Sequence, residues 1–242
     1  MTAPISAGVP ASAVVPPRRR PYAAVYRALL CAAAVAGIVI DLSVGDPLLV
    51  PVYFTIQSNA LLALVLGWSA VRAWTGGPPL SPRLTGGALL FILITGLVYH
   101  LVLANESSGF SMTGGPPSGW HALSNQLLHT VTPVGAALDW LLLTAPGGLL
   151  LRYAAQWLLY PAAYFAFALI RGAALAPDAT ARYPYPFLDA ADHGYAGVAT
   201  NALVLGLIFY ALALALVALD RVRPYLPARE NRISPTSAGG LK

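Results

Sequence analysis

The chain has 242 residues, of which 57% are hydrophobic and only 10% charged, with a net charge of +5. Soluble domains carry about 25% charged residues; here the charges are bunched between apolar runs, which excludes a water-soluble surface and points to one integral membrane domain. The basic balance comes without a basic patch interleaved with aromatics, so no nucleic-acid partner is expected, and the lone Cys31 provides neither a disulfide framework nor a cysteine metal site.

Residues 1–17 are mostly Ala, Ser, Val and Pro without periodicity and are expected to be a disordered tail. Residues 18–223 read as an all-α integral membrane bundle of six transmembrane helices, and residues 224–242 as a basic, polar cytoplasmic tail. Helix one is predicted from about Tyr22 to Leu42. Arg18-Arg19-Arg20 before an apolar run has the outline of a signal peptide, but the run is too long for a signal core, so the first helix is expected to be retained. Arg27 lies one turn inside and can snorkel to the headgroups. Asp46-Pro47 reads as a cap followed by proline in the first turn of helix two, which extends to about Trp74 with Pro51 near its entry.

A Gly-Gly-Pro-Pro turn and Arg83 lead to helix three, Leu84 to Ala104, followed by a Gly/Ser/Pro-rich loop. Helix four is predicted from Trp120 to Leu143 and contains Pro133. After a short turn, helix five covers Leu149 to Ile170 with Pro161 midway. The loop from Arg171 to Gly194 contains Tyr-Pro-Tyr-Pro-Phe-Leu-Asp at 183–189, and helix six runs from Tyr195 to Ala218. With six spans, the arginines of the N-terminal flank, Arg72, Arg83, Arg152 and the C-terminal tail fall on one side, and only Arg171 and Arg182 on the other. The positive-inside rule then places both termini in the cytoplasm of a multi-pass cell-membrane protein.

Two polar clusters interrupt the apolar segments: Thr55, Gln57, Ser58 and Asn59 in helix two, and Ser124, Asn125, Gln126, His129 and Thr130 in helix four. Side chains of this kind inside a bilayer-length segment face protein or a cavity. If helix two starts at Pro47 and helix four at Trp120, Thr55 and His129 lie at similar depths, roughly 12 and 13 Å in. Ser58 and Asn59 share a face with Thr55, and Asn125 shares one with His129. A hydroxyl, an imidazole and amide donors together suit acyl transfer, in which a threonine attacks, a histidine takes its proton and the amides hold the oxyanion. No acid lies level with His129, so a dyad is expected unless Asp189 or Asp192 folds in from the outer loop. The same groups also suit plain helix-to-helix bonding. The pairs Ser58-Asn59, Ser124-Asn125 and Thr200-Asn201 further suggest a triplicated hairpin, whose register would instead hold Thr55 about 12 Å from His129.

The Tyr53-Phe54-Thr55 entry to helix two, and Asn125 followed by His129-Thr130 and Pro133, resemble the androgen-induced-protein family. Its vertebrate members are multi-pass membrane hydrolases that cleave fatty acid esters of hydroxy fatty acids with a threonine and a histidine. The resemblance implies that Thr55 is the nucleophile and His129 the base. A closer likeness, to a bacterial branch of six-helix proteins, spans most of the chain. It rests on Phe54 to Asn59, Thr95 to Tyr99, His129 to Pro133, Asp139-Trp140, Tyr160-Pro161 and the 183–189 loop. Because Ser58-Asn59 and that loop look like features of this branch, the vertebrate substrate is not carried over with the fold.

The expectation is therefore a hydrolase of lipid-like esters with a Thr55–His129 dyad. Ser58, Asn59, Asn125, Tyr185 and Asp189 are candidates for substrate binding or the oxyanion, and membrane lipids and an acyl ester are the expected partners. The alternative is a non-enzymatic lipid-binding or transport bundle. His100 and His129 would be haem ligands in a third class, but they differ in depth by several ångströms. His193 with Asp189 and Asp192 suits a solvated loop better than a metal site. No metalloprotease, nucleotide-loop or Gly-x-Ser-x-Gly motif is present, and neither cofactor nor metal is expected.

Overall fold

The structure is a computed structural model that describes residues 19–112 and 119–224. The tail expected at 1–17 and nearly all of the one at 224–242 lie outside the described residues. The described residues form helices α1 (Pro21–Val44), α2 (Phe54–Thr75), α3 (Pro82–Val98), α4 (Gly119–Gln126), α5 (Thr132–Leu138), α6 (Leu151–Trp157), α7 (Leu159–Ala174) and α8 (Ala190–Val222), with no strand among them. Five helical stretches are long and apolar enough to cross a membrane: α1, α2, α3 with its extension to Leu103, α6–α7 together, and α8. The remaining stretch, Gly119–Leu143, is helical throughout, but two π turns, Leu127–Val131 and Asp139–Leu143, interrupt it.

Local chemistry explains where the elements differ from expectation. Helix two starts at Phe54, not Pro47. The Asp46 carboxylate accepts the Leu48 N–H at 2.8 Å, and Val50–Val52 forms a 3-10 turn around Pro51. Proline at that position would drive its ring into the carbonyl four residues back and remove a helical donor, so the α-helix begins only beyond it. Helix five breaks at Leu158, where the Trp157 carbonyl meets the missing donor of Pro161. Helix six begins earlier than expected, at Ala190 behind the Asp189 cap, and turns at Gly194, whose φ of 64° only glycine adopts readily. Pro133 acts in the same way on helix four. It gives the His129 carbonyl no partner four residues on, and the chain widens there into a π turn, a form enriched at functional sites.

α2 and α3 are central, with 56% of an 18-residue apolar stretch of each buried, whereas the corresponding stretch of α8 is 17% buried and that helix presents Leu203, Leu207 and Ile208 outward. α1 packs on α2 and α4, and α3 packs on α5; α6 and α7 join α8 on the far side. In such a setting helices associate by close packing and interhelical hydrogen bonds rather than by apolar burial from water. At Gly96 a Cβ would meet the Pro133 ring at 2.9 Å and the His129 carbonyl at 3.2 Å, so glycine is what lets α3 approach the π turn. Arg27 does not snorkel: it is buried, and its Nε donates to Asp139 at 2.7 Å while Nη2 reaches Thr144 at 3.2 Å. A carboxylate within reach satisfies the guanidinium locally, so the chain need not extend to water.

Candidate functional site

Thr55 is the second residue of α2, and His129 is the middle residue of the π turn between α4 and α5. Although helix two starts later than expected, the two side chains meet, with Thr55 Oγ1 3.2 Å from His129 Nε2. The other ring nitrogen, Nδ1, lies 3.1 Å from the Asn125 backbone carbonyl. A carbonyl only accepts, so Nδ1 carries the proton in the neutral ring and Nε2 offers its lone pair to the Thr55 hydroxyl. Tyr99 stacks on the imidazole with ring centroids 4.1 Å apart and planes at 25°, which fixes the ring.

The loop before α8 supplies a third group. Tyr183, Tyr185, Phe187 and Leu188 are all buried, and Tyr185 stacks on Phe187. The loop is anchored from both sides. Arg171 donates to the Ala181 and Arg182 carbonyls, Arg182 donates to the Gly172 carbonyl, and Asn201 of α8 donates to the Phe187 carbonyl. The Tyr185 hydroxyl thereby lies 3.4 Å from the Thr55 backbone N–H, which donates to it, and 3.5 Å from Thr55 Oγ1. Burial raises the Tyr185 phenol above its ordinary pKa, so it stays protonated.

The other candidates take different places. Ser58 Oγ lies 2.7 Å from Thr95 Oγ1, and Asn59 donates to the Thr55 and Leu128 carbonyls while accepting from Thr132 at 2.7 Å. Both sit directly behind Thr55 and tie α2 to α3 and to the π turn. The Asn125 side chain donates to the Tyr99 hydroxyl, so it is the Asn125 carbonyl, not the amide, that addresses His129. Asp189 caps α8 through the Ala191 N–H and makes no bond to the imidazole. His100 bonds to Thr130 at 3.1 Å. Among the described residues no group of three His, Cys, Asp or Glu side chains is placed to hold a metal. The three hydroxyl–Asn pairs do not share a role, since Ser124 donates to Asp41 and Asn201 to the Phe187 carbonyl.

The sequence alone assigns Tyr99 and Thr95 no role, although their spacing of four on one helix is the available signal. Their partners, Asn125 and Ser58, lie on other helices, which spacing along one helix does not reveal.

Thr55, His129 and Tyr185 line one end of a cavity of about 410 Å³ bounded by α3, α7, α8 and the loop. Ligand sites commonly span about 300–1,000 Å³. Its walls are Ile94, Val98, Phe165, Phe209 and similar apolar side chains, and among the described residues no Asp, Glu, Lys or Arg lines it. Leu203 and Leu207 line it and are also exposed on the outside of α8, so the cavity opens sideways along that helix. Comparisons with protein-family models, curated proteins and solved structures gave no match.

Proposed function

We propose that this chain is a multi-pass protein of the cell membrane that hydrolyses lipid-like esters, with Thr55 as nucleophile and His129 as general base. The observation that carries this function is the hydroxyl–imidazole contact at the polar end of an apolar cavity open along α8. An acyl chain suits the apolar walls, and its ester would sit where the polar groups converge. Thr55 Oγ1 bonds to the ester carbonyl carbon as its proton passes to His129 Nε2. The carbonyl oxygen becomes an oxyanion, for which Tyr185 O–H and the N-terminal turn of α2 supply donors and positive potential. Collapse breaks the ester C–O bond, and His129 returns the proton to the departing alkoxide. Water then adds to the acyl carbon as His129 takes its proton, the bond from that carbon to Thr55 Oγ1 breaks, and His129 returns the proton to Thr55 Oγ1 as the acid leaves.

Six spans with both termini in the cytoplasm accompany this proposal. The helical course of Gly119–Leu143 and the distribution of arginine support that topology. Thr55, at the start of α2, would then lie toward the outer leaflet.

The test is hydrolysis of p-nitrophenyl acyl esters by purified protein: turnover that Thr55→Ala abolishes is expected, and equal turnover by that variant overturns the assignment. A non-enzymatic lipid-binding or transport bundle is favoured by one observation, the bonding of Ser58, Asn59, Thr95 and Thr132 wholly among themselves and to helix carbonyls. In that case His129→Ala lowers thermal stability or lipid affinity with no turnover to lose.

A further inference from the structure

A second cavity, of about 330 Å³, lies toward the opposite end of α2 and is walled by α1, α2, α3 and α5. Ser69, on its wall, is 14 residues beyond Thr55, roughly 21 Å along the helix. Ser69 as a residue is 8% exposed and lines this cavity, and among the described residues no hydrogen bond engages its hydroxyl. That hydroxyl is not closed off by its neighbours but accessible from the cavity, where it can meet a ligand atom.

The charge on the walls has a sign. Asp220 is matched by Arg223 at 2.8 Å, and Asp139 by Arg27 at 2.7 Å. Arg20 is the remaining charge on the lining, with no carboxylate partner among the described residues and one long bond, 3.4 Å, to the Gly77 carbonyl. Burial, and then the neighbouring Arg27, hold its pKa below the ordinary arginine value, against a smaller opposing pull from Asp139. Its backbone N–H donates to the Ala73 carbonyl, one helical turn from Ser69, so the two groups belong to the same end of the cavity. Deeper along that face of α2 come Leu66, Val65 and Leu62, all buried.

A cation and a free hydroxyl above an apolar wall match a molecule with an anionic head and an alkyl body. We propose that this cavity binds an anionic phosphate amphiphile, its head toward Arg20 and Ser69 and its alkyl chain against Leu66, Val65 and Leu62. This site is separate from the Thr55 cavity and does not depend on ester hydrolysis.

Thermal unfolding of the purified full chain in detergent tests it, with short-chain phosphatidylglycerol, phosphatidylcholine of the same chains, and inorganic phosphate as probes. Phosphatidylglycerol is expected to raise Tm by about 3 °C or more, and the other two probes are not. Arg20→Gln should weaken phosphatidylglycerol about tenfold, and Ser69→Ala should also reduce the shift, whereas Thr55→Ala should retain it. Equal shifts with phosphatidylcholine, a shift reproduced by inorganic phosphate alone, or full shifts in both Arg20→Gln and Ser69→Ala would overturn the proposal. Loss of the shift in Thr55→Ala would assign the amphiphile to the other cavity.

Discussion

Thr55 and His129 are 74 residues apart in the chain, yet the hydroxyl of one lies 3.2 Å from Nε2 of the other. The contact is oriented from behind. The Asn125 carbonyl holds the imidazole proton on Nδ1, and Asn59 joins the Thr55 carbonyl to the Leu128 carbonyl, so the first turn of α2 is tied to the π turn that carries His129. His129→Gln should lower ester turnover by about 10²–10⁴-fold, the usual worth of a positioned base. Steady-state kinetics on a p-nitrophenyl ester would show it, and a loss below tenfold would remove His129 from the chemistry.

A substitution at Tyr185 separates its proposed oxyanion role from packing. Tyr185→Phe keeps the ring stacked on Phe187 and removes only the hydroxyl. The expected result is a fall in kcat of about 10²-fold, with a stability loss of about 1 kcal/mol. A folded variant with unchanged kcat would leave the phenol a packing role. Burial places the folded pKa above the ordinary 10.0, so the unfolded chain loses this proton first as pH rises. The contribution of Tyr185 to stability is therefore complete below pH 10 and declines above it. Alkaline unfolding of wild type should be steeper above pH 10 than that of Tyr185→Phe.

Gly206 tests the cavity. A Cβ there would meet nothing within 4 Å, and the residue lines the space beside Leu205 and Leu207. Gly206→Leu should fold at least as well as wild type, because replacing a helical glycine gains about 0.5–1 kcal/mol. It should nonetheless lower turnover of long-chain esters more than that of acetyl esters. Equal effects on both chain lengths would show that the acyl chain does not lie along α8.

The Arg27–Asp139 pair is structural and buried, with side-chain exposures of 7% and 12%. Asp139→Asn should destabilise by about 3–5 kcal/mol, because it strands the guanidinium. The paired change Arg27→Met with Asp139→Leu should recover most of that loss in thermal unfolding.

Much of this arrangement was legible in the sequence, and the misses have physical causes. Composition gave the helical, membrane-compatible class, and the polar interruptions of apolar runs located Thr55, Ser58, Asn59 and His129. Proline effects were harder to place. Pro51 was visible, but its consequence, a delayed start of α2 at Phe54, depends on the Asp46 turn upstream. The fate of Asn125 was not legible, because its amide is drawn to Tyr99 on another helix. Arg27 illustrates the same limit: snorkelling and ion pairing fit one sequence position, and only the placement of Asp139 on a neighbouring helix decides between them. The loop motif points to Tyr185, but its approach to Thr55 depends on the arginine and asparagine anchors that hold that loop inward.

Labelling of the purified protein with a fluorophosphonate, followed by peptide mass mapping, reads the nucleophile itself. The expected adduct falls on the peptide containing Thr55, is absent in Thr55→Ala and is strongly reduced in His129→Gln. An adduct of equal yield in Thr55→Ala, or one mapped to another residue, would contradict the assignment of Thr55 and His129 as a reacting pair.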